Sequence, residues 1–82
     1  MRGVQFGKII AKKDDLRREI SREEIRRMLE EGWYVGVEFC VKGKSGWIVI
    51  NKEKMDVLAL DKDVMNFLKK HEEVILRRLG VF

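Results

Sequence analysis

Proline is absent from these 82 residues, and cysteine and histidine occur once each. With Cys40 alone, no internal disulfide can form, which fits a reducing compartment. One histidine and one cysteine cannot supply the three or four ligands of a His/Cys metal centre, so no metal or cofactor is expected. Nucleophilic chemistry of the Ser-His-Asp or Cys-His kind would depend on His71, which falls on an apolar helical stripe where a structural role accounts for it. No apolar run approaches the ~18 residues of a membrane span, and none of signal-peptide length follows the first residues. A soluble, cytoplasmic protein with no membrane partner is therefore expected. Linkers, repeats and low-complexity tracts are also lacking, and the length is below the ~100 to 200 residues usual for a domain, so residues 1–82 read as a single domain.

Charge is what the chain has in excess. Charged residues make up 39% and hydrophobic residues 45%, against roughly 25% charged in ordinary globular proteins, so a compact core should lie under an unusually ionic surface. Eighteen Lys and Arg against fourteen Asp and Glu leave +4, a bias that attracts polyanions. Most of the excess lies in residues 1–30. Absent proline together with abundant Lys, Arg, Glu, Val and Ile is the usage of a thermophile.

The pattern of elements is β-α-β-β-β-α. Residues 4–12 are rich in strand formers but break alternation at Ile9-Ile10, which reads as an edge strand. Asp14-Asp15 turns the chain. Ser21 and Glu24 have the spacing of a capping box, with Ile20 and Ile25 as its hydrophobic staple, so a first helix starts at Arg22. Its stripe is Ile25, Met28 and Leu29, and Gly32 ends it in a left-handed cap. Val35, Val37, Phe39 and Val41 then alternate with Tyr34, Gly36, Glu38, Cys40 and Lys42, a half-buried strand with the valines and Phe39 inward. Gly43 to Gly46 forms a turn, followed by strands over 47–50 and 55–60 joined by residues 51–54. Asp61 or Asp63 caps a long second helix, with Val64, Phe67, Leu68, His71 and Ile75 on one stripe, which Gly80 ends after about 17 residues. The expected fold is α+β: an antiparallel three- to four-stranded sheet with two helices packed on one face.

The chemistry-bearing positions are cationic. Lys42, Lys44, Lys52 and Lys54 surround one hairpin with Trp47 between the pairs, so lysines could meet phosphates while the indole stacks on a base. The alternative is a solvated turn that guards a sheet edge, with Trp47 in the core. Arg18, Arg22 and Arg26, spaced by four, form a second basic ridge, although Glu19, Glu23, Glu24 and Glu30 stand at pairing distance along a helix. Gly43-Lys44-Ser45 is not a phosphate-binding loop: Glu38 stands where that motif needs glycine, and a strand follows where it needs a helix. Asp61 and Asp63 are explained by helix capping. No self-contained active site is visible, so the protein is expected not to be an enzyme.

Three local resemblances bear on this. EEIRRMLEEGWYVGVEF, residues 23–39, resembles the helix-to-strand unit of the Rubisco small subunit, which implies a local α-turn-β geometry and no function. The α-β-β-β-α order from residue 21 resembles a double-stranded-RNA-binding domain, but Asp61-Lys62-Asp63 opens the last helix where that family has a lysine cluster. Residues 35–79 are similar in order to the sheet-type DNA-binding domains of some integrases, an architectural likeness only.

At the C-terminal end, Val74, Ile75, Leu76, Leu79, Val81 and Phe82 point in more directions than one small sheet covers. A homodimer through Met65, Leu76, Leu79 and Phe82 is expected, unless Val81 and Phe82 fold back on the monomer's own core. The leading functional expectation is a small, basic, non-enzymatic DNA- or RNA-binding or regulatory protein of weak sequence selectivity. Its rival is a protein-interaction or assembly subunit with no nucleic-acid role.

Overall fold

In this computed structural model, which describes residues 3–82, strand-forming stretches give five strands: β1 (Val4–Lys13), β2 (Leu16–Glu19), β3 (Tyr34–Val41), β4 (Lys44–Ile50) and β5 (Met55–Leu58). Three helices complete the fold: α1 (Ile25–Glu30), α2 (Lys62–Lys70) and α3 (Glu72–Arg78), with a 3₁₀ turn at Arg22–Glu24 leading into α1. All neighbouring strands are antiparallel, in the order β2-β1-β3-β4-β5.

Period-two alternation decides the architecture. Val35, Val37, Phe39 and Val41 of β3, Ile48 and Ile50 of β4, Met55 and Val57 of β5 and Ile9 and Ala11 of β1 fall on one face and are buried. They join a single apolar cluster with Ile25, Met28 and Leu29 of α1, Val64 and Leu68 of α2, and Ile75 with Leu79 at the end of α3. All helices therefore cover the same face. Each fully buried aliphatic or aromatic side chain contributes about 1.5–3 kcal/mol relative to exposure, so this layer carries the stability.

The helix ends follow the sequence signals. Ser21 and Glu24 form the capping box, in which the Ser21 amide donates to Glu24 Oε1 at 3.0 Å. At both α1 and α3 a glycine at positive φ, Gly32 (88°) or Gly80 (77°), closes the same motif. The Trp33 amide donates to Met28 O and the Gly32 amide to Leu29 O; at α3, Val81 donates to Leu76 O and Gly80 to Arg77 O. These are Schellman caps, and the first carries Trp33 down into the core.

Four expectations need correction. The sheet has five strands and there are three helices, because residues 16–19 form β2 and the C-terminal helix is divided. Only Leu16 in Leu-Arg-Arg-Glu is apolar and all four residues are exposed, so β2 is held by its ladder, from Lys13↔Leu16 to Ile10↔Glu19, and not by burial. As a result β1 is an interior strand; β2 and β5 are the edges. The broken alternation at Ile9-Ile10 is a bulge: Phe6 faces Phe39 and Ile9 faces Val37, so Gly7 and Lys8 together oppose Glu38. The long helix bends at His71 (φ −106°, ψ 27°). There the His71 amide is shared between Phe67 O and Leu68 O and imidazole Nδ1 lies 2.9 Å from Phe67 O, a side chain entering the helical ladder.

Candidate functional site

Because helices cover one face only, the other face of the sheet is open, and its composition is set by the residues between the buried ones. The strand registers arrange them in rows. Arg17, Lys12 and Tyr34 lie side by side across β2, β1 and β3. The next row is Glu19, Ile10, Gly36, Val49 and Asp56, and the one after it sets Glu38, Trp47 and Leu58 across β3, β4 and β5. Ile10, Tyr34, Gly36, Trp47, Val49 and Leu58 floor a shallow trough of about 250 Å³, and Lys12 and Arg17 close one side of it.

Trp47 is held in this trough by Gly36. Its benzo ring reaches diagonally across β3, with Cε3 and Cζ3 at 3.5 and 3.8 Å from where a Gly36 Cβ would stand. A larger residue there would meet the indole. Tyr34 (56% exposed) and Leu58 (58%) stand open to solvent on either side.

The cations divide into paired and unpaired. Lys44 bonds Asp61 Oδ2, the same carboxylate whose Oδ1 accepts the Val64 amide at the start of α2. That contact raises the Lys44 pKa and lowers that of Asp61, the hydrogen bond being the largest cause in both. Lys54 pairs with Asp56 at 3.4 Å, Arg26 with Glu30 at 3.5 Å and Arg77 with Glu73 at 3.1 Å. Arg27 lies between Glu24 and Glu31. Glu24 is itself held more acidic than usual, first by the Ser21 amide and then by the Ser21 hydroxyl. Among the described residues no carboxylate stands within ion-pair distance of Lys12 or Arg17. Glu19, Glu38 and Asp56 share the open face but do not line the trough.

The residues singled out in the sequence are placed as follows. Lys42 and Lys44 are at the β3–β4 hairpin, a two-residue turn with Lys42 (φ 51°) and Gly43 (φ 75°) both left-handed. Lys52 and Lys54 are in the β4–β5 loop, where Asn51 Oδ1 accepts the Glu53 and Lys54 amides. The strand between them runs from Lys44 to Ile50, roughly 20 Å at about 3.3 Å per residue. The four lysines are thus at opposite ends of β4. Trp47 lies midway, on the open face and not in the core. The arginine ridge is not one surface either: Arg18 is in β2, Arg22 in the 3₁₀ turn and Arg26 in α1. Of the C-terminal residues, Leu79 is core at 1% exposure and Phe82 is 66% exposed. Met65, Leu76 and Val81 pack partly buried against the core.

Sequence reasoning missed Tyr34, Lys12 and Arg17. The signal for Tyr34 was its outward place in the alternation of β3, next to a glycine where a surface strand usually carries charge. Lys12 and Arg17 needed β2 to be recognised. Among the described residues there is no group of three or more His, Cys, Asp or Glu able to hold a metal, and no helix long and apolar enough to cross a membrane. Comparison with family models, curated proteins and solved structures finds no match, so function has to be read from the chain's own geometry.

Proposed function

We propose that this is a non-enzymatic nucleic-acid-binding protein of weak sequence selectivity, and that it binds through the open face of the sheet. The observation that carries this reading is one row of the sheet: two cations without carboxylate partners, Lys12 and Arg17, stand beside Tyr34, with Trp47 held over the neighbouring Gly36. Aromatic rings give sequence-tolerant stacking, and unpaired cations give phosphate attraction. The lysines at 42, 44, 52 and 54 serve at most as a periphery, since Lys44 and Lys54 already have carboxylate partners. Binding should weaken steeply with salt, since each phosphate neutralised releases counterions. Anisotropy titrations of a labelled oligonucleotide at two salt concentrations test this; an affinity indifferent to salt contradicts it.

A second reading, a protein-interaction subunit, is favoured by the apolar part of the same floor. Ile10, Val49 and Leu58 offer nothing to a phosphate, and the charges of α1, Arg26, Arg27 and Glu30, are all taken up in ion pairs. Light scattering of wild type beside Leu58→Glu tests this reading: an oligomer dissolved by the new charge supports self-assembly through the open face, and a monomer in both contradicts it. A dimer through the C-terminal end would have to use Phe82 and its neighbours, because Leu79 is committed to the core.

A further inference from the structure

We infer that the ligand of the open face is an unpaired strand, with one base on Tyr34 and the next on Trp47, and its phosphate on Lys12 and Arg17. This rests on the reading above and narrows it to single-stranded nucleic acid. The spacing carries the inference. Tyr34 and Gly36 are two residues apart on β3 and point to the same face, so their side-chain positions are roughly 7 Å apart along the strand. Trp47 belongs to the row of Glu38, but its benzo ring lies over Gly36, which brings the second ring back to that ~7 Å step. The rise between stacked bases in a strand is about 3.4 Å. Rings spaced at twice that distance cannot both stack on neighbouring bases of a duplex, where the bases are already stacked on each other. They fit bases that have been drawn apart.

The cations lie on a matching line. Lys12 is the cross-strand neighbour of Tyr34, and Arg17 is the neighbour of Lys12, at about 4.8 Å per strand. A phosphate attached to the nucleotide on Tyr34 therefore falls within reach of both. On the Trp47 side the neighbours are Glu38 and Leu58. Glu38 would repel a phosphate, so the backbone is drawn toward β1 and β2 and the bases toward β4 and β5. Gly36 is the positioning residue: it touches no ligand but sets where the indole rests.

Intrinsic fluorescence tests this, because Trp33 is buried at 8% exposure and Trp47 is the accessible indole of the pair. Single-stranded homopyrimidine DNA and RNA of roughly eight nucleotides, a common footprint for stacking grooves, are titrated against a blunt duplex of equal length. The expected result is quenching by single strands, duplex binding at least about tenfold weaker, loss of the quench in Trp47→Leu, and about tenfold weaker binding in Gly36→Val with an unchanged melting curve. Lys12→Gln with Arg17→Gln provides an independent route, lowering affinity without touching either ring. Tighter binding of RNA than DNA assigns a role to the 2′-hydroxyl; equal binding assigns a site indifferent to the sugar, and both support the inference. Duplex bound as well as single strands, with Trp47 emission unchanged, overturns the inference and leaves nucleic-acid binding standing. No binding of any strand at low salt overturns both.

Discussion

The two faces of the sheet are built by the same strands and differ in almost every other respect. On the covered face the side chains are aliphatic or phenyl, with Val35, Val37 and Ile48 at 0% and Phe39 at 1% exposure. On the open face the same strands present an exposed tyrosine, a glycine, a half-buried tryptophan and unpaired cations. Ordinary solvation would be served by lysine, glutamate and threonine on that side, so Tyr34, Gly36 and Trp47 are not explained by folding. Stability therefore belongs to one face, and the residues in excess of what stability needs are the ground on which the other is proposed as the binding face.

Truncation offers the strongest test of that division. Phe39→Ala should cost about 3–5 kcal/mol, from lost burial and the cavity left behind. Val49→Ala, on the open face, should cost less than about 1 kcal/mol. Chemical denaturation of both measures the contrast, and equal losses would break it.

Two of the three strand glycines sharpen it. A Cβ at Gly46, on the covered face, would meet Leu58 O at 2.4 Å and Phe39 Cζ at 2.8 Å. Backbone cannot yield as a flexible side chain can, so Gly46→Ala should lower stability by roughly 1–3 kcal/mol. At Gly36 the nearest atom to a Cβ is 3.5 Å away, an ordinary contact, and Gly36→Ala should stay within about 0.5 kcal/mol of wild type. Thermal melts of the two variants side by side decide this.

Substituting cations in pairs separates them by role. Lys12→Gln with Arg17→Gln should leave the melting temperature nearly unchanged and reduce the salt slope of oligonucleotide binding by about 0.7, the share of the one phosphate that the pair holds on a single strand. Lys44→Gln with Lys54→Gln should change that slope much less, since both lysines already have carboxylate partners. A larger effect from the second pair would move the site to the loop ends.

The smallest effect is with pH. Glu24, made more acidic by its capping contacts with Ser21, and Asp61, made so first by Lys44 and then by the Val64 amide, contribute stability that is present above the ordinary carboxylate range and is lost as pH falls through their lowered values. Lys44 acts in the opposite sense: its pKa is raised above 10.5, so its share is complete below that value and lost as pH rises past the raised one. Asp61→Asn should flatten both limbs of a melting-temperature profile, and an unchanged profile would place the pH dependence elsewhere.

Much of this fold was legible because local chemistry and global structure agree. The capping box at Ser21, the left-handed glycines at 32 and 80 and the inward valines of β3 are short-range signals that need no partner to be read. β2 was not legible, because Leu-Arg-Arg-Glu has little strand preference of its own and is held by pairing with a neighbour. The bulge at Gly7-Lys8 was visible only as broken alternation, since a bulge is a property of two strands. For the candidate site, Trp47 was singled out from its place among lysines, but those lysines are separated by the length of β4. Its real neighbours, Tyr34, Lys12 and Arg17, come from β1, β2 and β3, and their proximity is set by register, which the sequence does not state.

Chemical-shift mapping tests the central claim most directly. A backbone and indole amide spectrum is recorded as a short unlabelled single strand is added. Shifts concentrated at Lys12, Arg17, Tyr34, Gly36 and the Trp47 indole, with α1, α2 and α3 unmoved, are the expected result. Shifts centred on Arg22 and Arg26, on the lysines at the ends of β4, or spread evenly over the surface would contradict the assignment of function to the open face.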